Sequence, residues 1–389
     1  MNFKFNKLLC AFFSIFLIFS TPAFAENAKQ VDTDISANLI NSKSGILIEA
    51  STGEVLYELN PDEKLNIASV TKTMTMLLTM EALDSGKIKT SDIVTVSEHA
   101  SSMGGSQVYL ETNEKISVDD LLKAIAVSSG NDAAVAMAEF ISGSEPAFIE
   151  KMNKRAEELN CKNTHFINCN GLDETADHYS TARDVATISR ELLKHEKIFD
   201  YTTIWMDSIR NGKFGLSNTN KLIRFYEGAN GIKTGSTSTA KYCISASAKR
   251  DNMQLIAVIL GAPTTKDRFS SANSLLDFGF ANYEVLNDDT LKTSLPYVNV
   301  VSGKENKLLP VASGNGFIIK KGNSDKIEQE LLISQSVNAP IEKGQKIGEI
   351  IYKIDGDEIT RRDVVANEDI KKINIFEMFL RCLGIWARL

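Results

Sequence analysis

The sequence predicts an α+β protein: an antiparallel sheet flanked by helices, followed by a small C-terminal β-sandwich. Three observations carry that expectation. Alternating apolar stretches at residues 45–50 and 54–58, joined by Ser51-Thr52-Gly53, read as one hairpin, and residues 242–248 with 253–260 read as another. Between them lie apolar residues at helical spacing, so the two hairpins enclose helices and are expected to meet in one sheet. After Tyr283 the pattern changes to short alternating stretches split by Gly, Asn and Asp turns.

In chain order, residues 1–25 read as a secretory signal, with Lys4 and Lys7 before an apolar run over 8–19 and a small-x-small site at Ala23-Phe24-Ala25. The run is short for a spanning helix. Its removal would take the formal charge from −7 to −9, because Lys4 and Lys7 leave and no acidic residue does. An acidic, exported chain lacks the basic surface that nucleic-acid binding needs, which excludes that class of partner. Helices are expected at 70–83, 118–142, 146–159 and 182–193, and later strands at 295–301, 316–320, 328–335 and 347–354.

At the C-terminus, Ile375, Phe376, Phe379, Leu380, Leu383, Trp386 and Leu389 cover most of a helix, while Glu377, Arg381, Gly384 and Arg388 share one stripe. Such a segment is too short to span a bilayer but suits a helix lying in the membrane interface, at the outer face of the cytoplasmic membrane. A helix docked on the protein's own core is the alternative. The expected divisions are a signal at 1–25, a catalytic domain at 26–285, a β-rich domain at 290–372 and an anchor helix at 373–389.

Cys10 leaves with the signal, and Cys161, Cys169, Cys243 and Cys382 remain. A chain of this length can bury a core without disulfides. Cys161, His165, Cys169 and His178 are close in sequence, but their spacing fits no standard zinc pattern.

The chemistry resides in three short motifs: Ser69-Val70-Thr71-Lys72, Ser129-Gly130-Asn131 and Lys233-Thr234-Gly235. Ser69 and Lys72 are three apart at an expected helix start, so both project from one face. An N-cap role would explain Ser69 but would leave Lys72 without a purpose. A neutral lysine amine can take the serine proton as a histidine would, if burial and a second cation, for which Lys233 is the candidate, lower its pKa. Ser129-Gly130-Asn131 interrupts an apolar helical stretch at a cost in propensity, which suggests a bend that presents two polar side chains. There Ser129 would carry a proton to a leaving amine, and the Asn131 amide would bond a substrate peptide group. Lys233 and Thr234 would bind a carboxylate, with the following backbone running beside the substrate like an added strand. Gly-Ile-Lys-Thr-Gly does not match a phosphate-binding loop. The backbone N–H groups of Ser69 and Ser236 are the candidate oxyanion donors.

The ordered set of motifs resembles the serine acyl-transferases that comprise penicillin-binding proteins and class A β-lactamases. The whole chain resembles a D-alanyl-D-alanine carboxypeptidase of the low-molecular-mass penicillin-binding proteins. Asn170-Gly171-Leu172-Asp173, Tyr179-Ser180-Thr181-Ala182-Arg183-Asp184 and Asn218-Thr219-Asn220-Lys221-Leu222 also fit the family's pattern as active-site surroundings. The resemblance implies the corresponding fold and attack by Ser69 on the bond between two terminal D-alanines of a peptidoglycan stem peptide. It further implies Lys72 as base, Ser129 as proton carrier, and Asn131, Lys233, Thr234, Gly235 and Ser236 as substrate contacts. β-Lactams would be covalent inhibitors, and no metal or organic cofactor would take part. Two features depart from or limit the resemblance. Lys241 stands in Ala240-Lys241-Tyr242 where the family usually has glycine, a change that could alter stem-peptide preference. A class A β-lactamase needs a deacylating glutamate in E-x-E-L-N, whereas Ala156-Glu157-Glu158-Leu159-Asn160 has alanine in that place. A non-catalytic envelope receptor for D-Ala-D-Ala or β-lactams is the alternative from another class.

Overall fold

Alternation along the first strand sets the layers of the catalytic half. The computed structural model describes residues 39–172, 175–287, 291, 293–314 and 316–386, with side chains to Arg381. The expected signal at 1–25, Asp173, and the side chains of Cys382, Leu383, Trp386, Arg388 and Leu389 lie outside the described residues. Strands β1 (Ser44–Glu49), β2 (Val55–Leu59), β3 (Ala229–Thr237), β4 (Lys241–Arg250) and β5 (Met253–Ala262) form one antiparallel sheet in the order β2-β1-β5-β4-β3. The first hairpin therefore pairs with the last, Ile46 opposite Val258 and Leu47 opposite Ala257. Ile46, Ile48 and Val258 face a helical core, while Leu47, Leu255 and Ala257 face the opposite side. Strands β1 and β5 thus bury both faces, consistent with their near-continuous apolar character.

Helices α1 (Lys72–Asp84), α2 (Val118–Val127), α3 (Asn131–Ser142), α4 (Glu145–Glu158) and α5 (Ala182–Leu192) contribute to the first core. Helix α6 (Thr265–Asn282) covers the other face through Ala272, Leu275 and Leu276. The long helix expected at 118–142 is two helices, broken at residues 128–130, where Ser129 takes a left-handed φ of 62°. Ser117, Ser144, Thr181 and Thr264 cap α2, α4, α5 and α6 by accepting backbone N–H groups. Neither α1 nor the 3-10 turn before it (Ala68–Thr71) has a side-chain cap, so the Ser69 hydroxyl is not used as one.

The C-terminal strands build separate small sheets. One orders Val311–Ala312, Asp357–Val365, Lys346–Ile354 and Ile327–Ile333, and another orders Lys307–Leu308, Val298–Val301 and Ser336–Asn338. Their cores centre on Phe317, Ile350, Tyr352 and Val364, and on Val298, Leu308, Ile347 and Ile370. Helix α7 (Ile375–Trp386) follows, and none of the described helices is long and apolar enough to cross a membrane. Its polar stripe is tied to this half. Glu377 pairs with Lys304 at 3.0 Å, and Arg381 donates to the carbonyls of Gly303 and Lys304 and to Asn306 Oδ1. Ile375, Phe376, Phe379 and Leu380 remain exposed.

Leu255 is fully buried on the central strand β5, in the layer beneath α6. Leu255→Ala is expected to cost about 2–5 kcal/mol of unfolding free energy in a denaturant titration, through lost burial and an unfilled cavity.

Candidate active site

The site begins with a strained turn. Ala68, immediately before Ser69, has a φ of 47°, a left-handed conformation that a non-glycine residue holds only when its surroundings enforce it. The enforcement is close packing. A Cβ on Gly171 would lie 1.9 Å from the Ala68 carbonyl oxygen, and Gly171 itself has a φ of 79°. Only glycine lets the 170–172 loop pass this close to the turn. On the other side, a Cβ on Gly235 would lie 2.8 Å from both the Ile67 carbonyl oxygen and the Ser69 nitrogen. Strand β3 therefore runs directly against the Ser69 backbone. It is also an edge strand, paired only with β4, so its other side can receive an extended peptide.

Lys72 is the centre of the constellation and is fully buried. Its Nζ lies 3.0 Å from Ser69 Oγ, 2.6 Å from Asn131 Oδ1 and 2.7 Å from the Asn170 carbonyl oxygen. Asn131 Nδ2 donates to the Gly104 carbonyl at 2.7 Å, which fixes the amide with its oxygen toward the lysine. A neutral amine has two N–H bonds and one lone pair. The Asn131 and Asn170 oxygens can only accept, so they take both N–H bonds and leave the lone pair for the Ser69 hydroxyl proton. Burial pushes the Lys72 amine down to about 7, against the upward pull of Cys169 and Asp132.

The other sequence candidates gather around this centre. Ser129 is buried two residues before Asn131, and its hydroxyl has no hydrogen-bond partner among the described residues. Lys233 is also buried, with Nζ donating to the Thr234 carbonyl at 3.1 Å, and Thr234 Oγ1 donates to Thr219 Oγ1 at 2.8 Å. Burial, then Lys72 and Arg268, push the Lys233 amine well below its usual value. The second-cation effect expected on Lys72 thus acts on Lys233, and for Lys72 burial is the chief cause. Ser236 is exposed at the outer end of β3. Asn131, expected as a substrate contact, also accepts from Lys72 Nζ and donates through Nδ2 to the Gly104 carbonyl, so it orients the lysine as well.

Three supporting residues went unassigned from sequence. Asp132 is fully buried and accepts the N–H groups of Val108 and Leu110, which holds that loop against the start of α3. An acid directly after Ser-Gly-Asn inside an apolar helix was the available signal. His178 Nδ1 accepts from the Ile167 N–H, so its Nε2–H faces Thr71 Oγ1 at 2.7 Å and pins the turn that carries Ser69. Arg268 reaches the Gly235 and Cys243 carbonyls from α6, and nothing in the local sequence marks it. The cysteines and histidines near 161–178 serve separate partners. Cys161 lies against the Asp184 carbonyl, His165 against that of Asp177, and Cys161 and Cys169 are unpaired thiols. Among the described residues no group of three or more His, Cys, Asp or Glu could hold a metal. Ala156 is buried on α4, while Glu157 and Glu158 are exposed, Glu158 within ion-pair distance of Lys154 and Arg155.

Comparison with known proteins adds the following. The family profile described as D-alanyl-D-alanine carboxypeptidase matches residues 30–264, and that described as penicillin-binding protein 5, C-terminal domain, matches residues 280–372. D-alanyl-D-alanine carboxypeptidase DacF of Bacillus subtilis (strain 168) is 46% identical over 377 residues, covering 96% of each chain. The crystal structure of penicillin binding protein 5 from Haemophilus influenzae is similar with a TM-score of 0.76 and 33% identity, over 86% of this chain and 98% of that one. Penicillin-Binding Protein D2 from Listeria monocytogenes, solved in the ampicillin-bound form, is similar with a TM-score of 0.57 and 29% identity, over 62% of this chain and 98% of its own.

The contact between Gly235 and the Ser69 backbone is testable. In Gly235→Ala the new Cβ must push β3 and the 3-10 turn apart. The expected result is a loss of about a hundredfold in the rate at which a serine-acylating reagent labels Ser69, with the circular dichroism spectrum unchanged.

Proposed function

The chain belongs to the D-alanyl-D-alanine carboxypeptidase family, and from that premise we propose that it is a serine-type enzyme removing the terminal D-alanine of peptidoglycan stem pentapeptides through an acyl-enzyme on Ser69. The observation that carries this mechanism is the three-contact environment of the Lys72 amine. Ser69 Oγ attacks the carbonyl between the two D-alanines while its proton passes to Lys72 Nζ. The N–H groups of Ser69 and Ser236 hold the developing oxyanion. As the C–N bond breaks, the proton moves from Lys72 through the Ser129 hydroxyl to the departing D-alanine amine. Water then attacks the ester, and the proton it gives up passes through Lys72 as Ser69 Oγ leaves protonated. Lys233 and Thr234 receive the terminal carboxylate, and that anion favours the charged form of Lys233, whose amine burial otherwise depresses. The need for a free carboxylate suits removal of a terminal residue.

β-Lactams acylate the same serine in this reading, supported by the ampicillin-bound relative. The catalytic domain spans 26–285 and the β-rich domain 290–372, a division supported by the two family matches. The protein is exported by its N-terminal signal and acts at the outer face of the cytoplasmic membrane. There α7 lies in the interface, its exposed Ile375, Phe376, Phe379 and Leu380 toward lipid and Glu377 and Arg381 holding the β-rich half above it.

Purified protein should release D-alanine from a stem pentapeptide and carry a fluorescent penicillin on Ser69. Lys72→Ala should lose acylation at least about a hundredfold, and retained labelling would refute its role as base. The sign of the pH dependence follows from the neutral form being the active one. Because the Lys72 amine titrates at about 7, kcat/KM should fall about tenfold per pH unit below that value and level off above it. Deleting residues 374–389 should leave the signal-free protein in the supernatant when phosphatidylglycerol–phosphatidylethanolamine vesicles are pelleted. Equal pelleting of the two forms would remove α7 as the anchor.

A further inference from the structure

The corner between β3 and β4 carries a feature that catalysis leaves unused. Thr237 pairs with Lys241 as the last pair of the hairpin, and Lys241 has a φ of 57°. A glycine would adopt that backbone conformation without strain, whereas a lysine is held in it at a cost. The Lys241 side chain is exposed and makes no hydrogen bond or ion pair with any described residue. It lines a groove of about 370 Å³ together with Ser236, Thr237, Ser238, Tyr242 and Pro263. Among the described residues no acidic side chain lines that groove, although the chain as a whole carries a formal charge of −7. Behind it, the Arg268 guanidinium lies over the Tyr242 ring at 5.7 Å and adds a second positive charge.

The direction of the bound peptide follows from the catalytic reading, on which this inference rests. With the terminal carboxylate at Lys233 and Thr234 and the scissile carbonyl at Ser236, a strand added to the edge of β3 runs antiparallel to it. Residues on the N-terminal side of the scissile bond then continue past Thr237, about 3.4 Å for each residue. That direction leads to the end of the hairpin, where Lys241 pairs with Thr237. We infer that this groove is a subsite for a carboxylate borne by the part of the stem peptide just N-terminal to the two D-alanines, and that Lys241 is the residue that selects for it. The carboxylate has two possible sources: the second acid group of a diamino diacid directly before the D-alanines, or the free α-carboxylate of a γ-linked glutamate one residue further back.

The test measures D-alanine release from two pairs of synthetic peptides at low ionic strength. In one pair the residue before D-Ala-D-Ala carries a side-chain carboxylate or its amide. In the other the γ-linked glutamate carries a free or an amidated α-carboxylate. The expected result is a kcat/KM preference of about fivefold for the acid over the amide in one pair, which identifies the source, fading as salt is raised. The preference should persist in Lys241→Arg and fall to about one in Lys241→Gln. A purely structural role for Lys241 would lower kcat/KM for all four peptides together and leave the ratios intact. No acid preference in the wild type, or an undiminished preference in Lys241→Gln, would overturn the subsite. Release of D-alanine from none of the four peptides would instead overturn the carboxypeptidase reading beneath it.

Discussion

The burial of one amine organises the catalytic end of this protein. Excluding water from Lys72 lowers its pKa toward neutrality, but a buried amine is tolerable only if its N–H bonds are satisfied. Two acceptors do this, one from the start of α3 and one from the loop at Asn170. Three chain segments distant in sequence must therefore converge on a single nitrogen, and each convergence has a local cost. Ala68 and Ser129 hold left-handed φ angles, and Gly171 and Gly235 give up side chains so that backbones can touch. The strain and the missing side chains lie next to the chemistry because the position of the amine leaves no slack.

The sheet supplies the second half of the arrangement. Its core strands are covered on both faces, which makes β3 a rigid edge rather than a mobile loop. One side of that edge is paired with β4, and the other faces the Ser69 turn. A substrate joining there gains main-chain hydrogen bonds in a fixed register, so selectivity falls to whatever lies along the strand. Lys233 and Thr234 stand at one end and Lys241 at the other. On the proposed reading, the same geometry that aligns the scissile bond also decides which flanking groups are read.

Legibility differed from residue to residue. Ser69, Lys72, Ser129, Asn131, Lys233 and Thr234 could be singled out as candidates because they stand in short, local motifs. Both hairpins and α4 and α5 were readable from periodicity. The break at Ser129 was visible as a propensity fault, but its outcome as two helices depended on the left-handed turn. Arg268 was not legible, because a cation on a helix, 33 residues after the Gly235 carbonyl it reaches, looks like any surface arginine. His178 was legible only as part of a cysteine–histidine cluster, which suggested a metal question rather than its actual neighbour, Thr71.

The sequence alone determined which groups could react, since nucleophile, base, proton carrier and anion-binding residues are matters of side-chain identity. It also determined the order of the elements, because hydrophobic period and turn chemistry are local. Tertiary structure decided the protonation logic. Whether Lys72 is a base depends on burial and on the two acceptors that leave its lone pair for Ser69, and neither neighbour could be identified from spacing. It likewise decided that burial, more than Lys233, depresses the lysine, and that Asn131 orients the base. Those are facts of distance between segments 59 and 98 residues away from Lys72, and distance in space is what a linear chain does not carry.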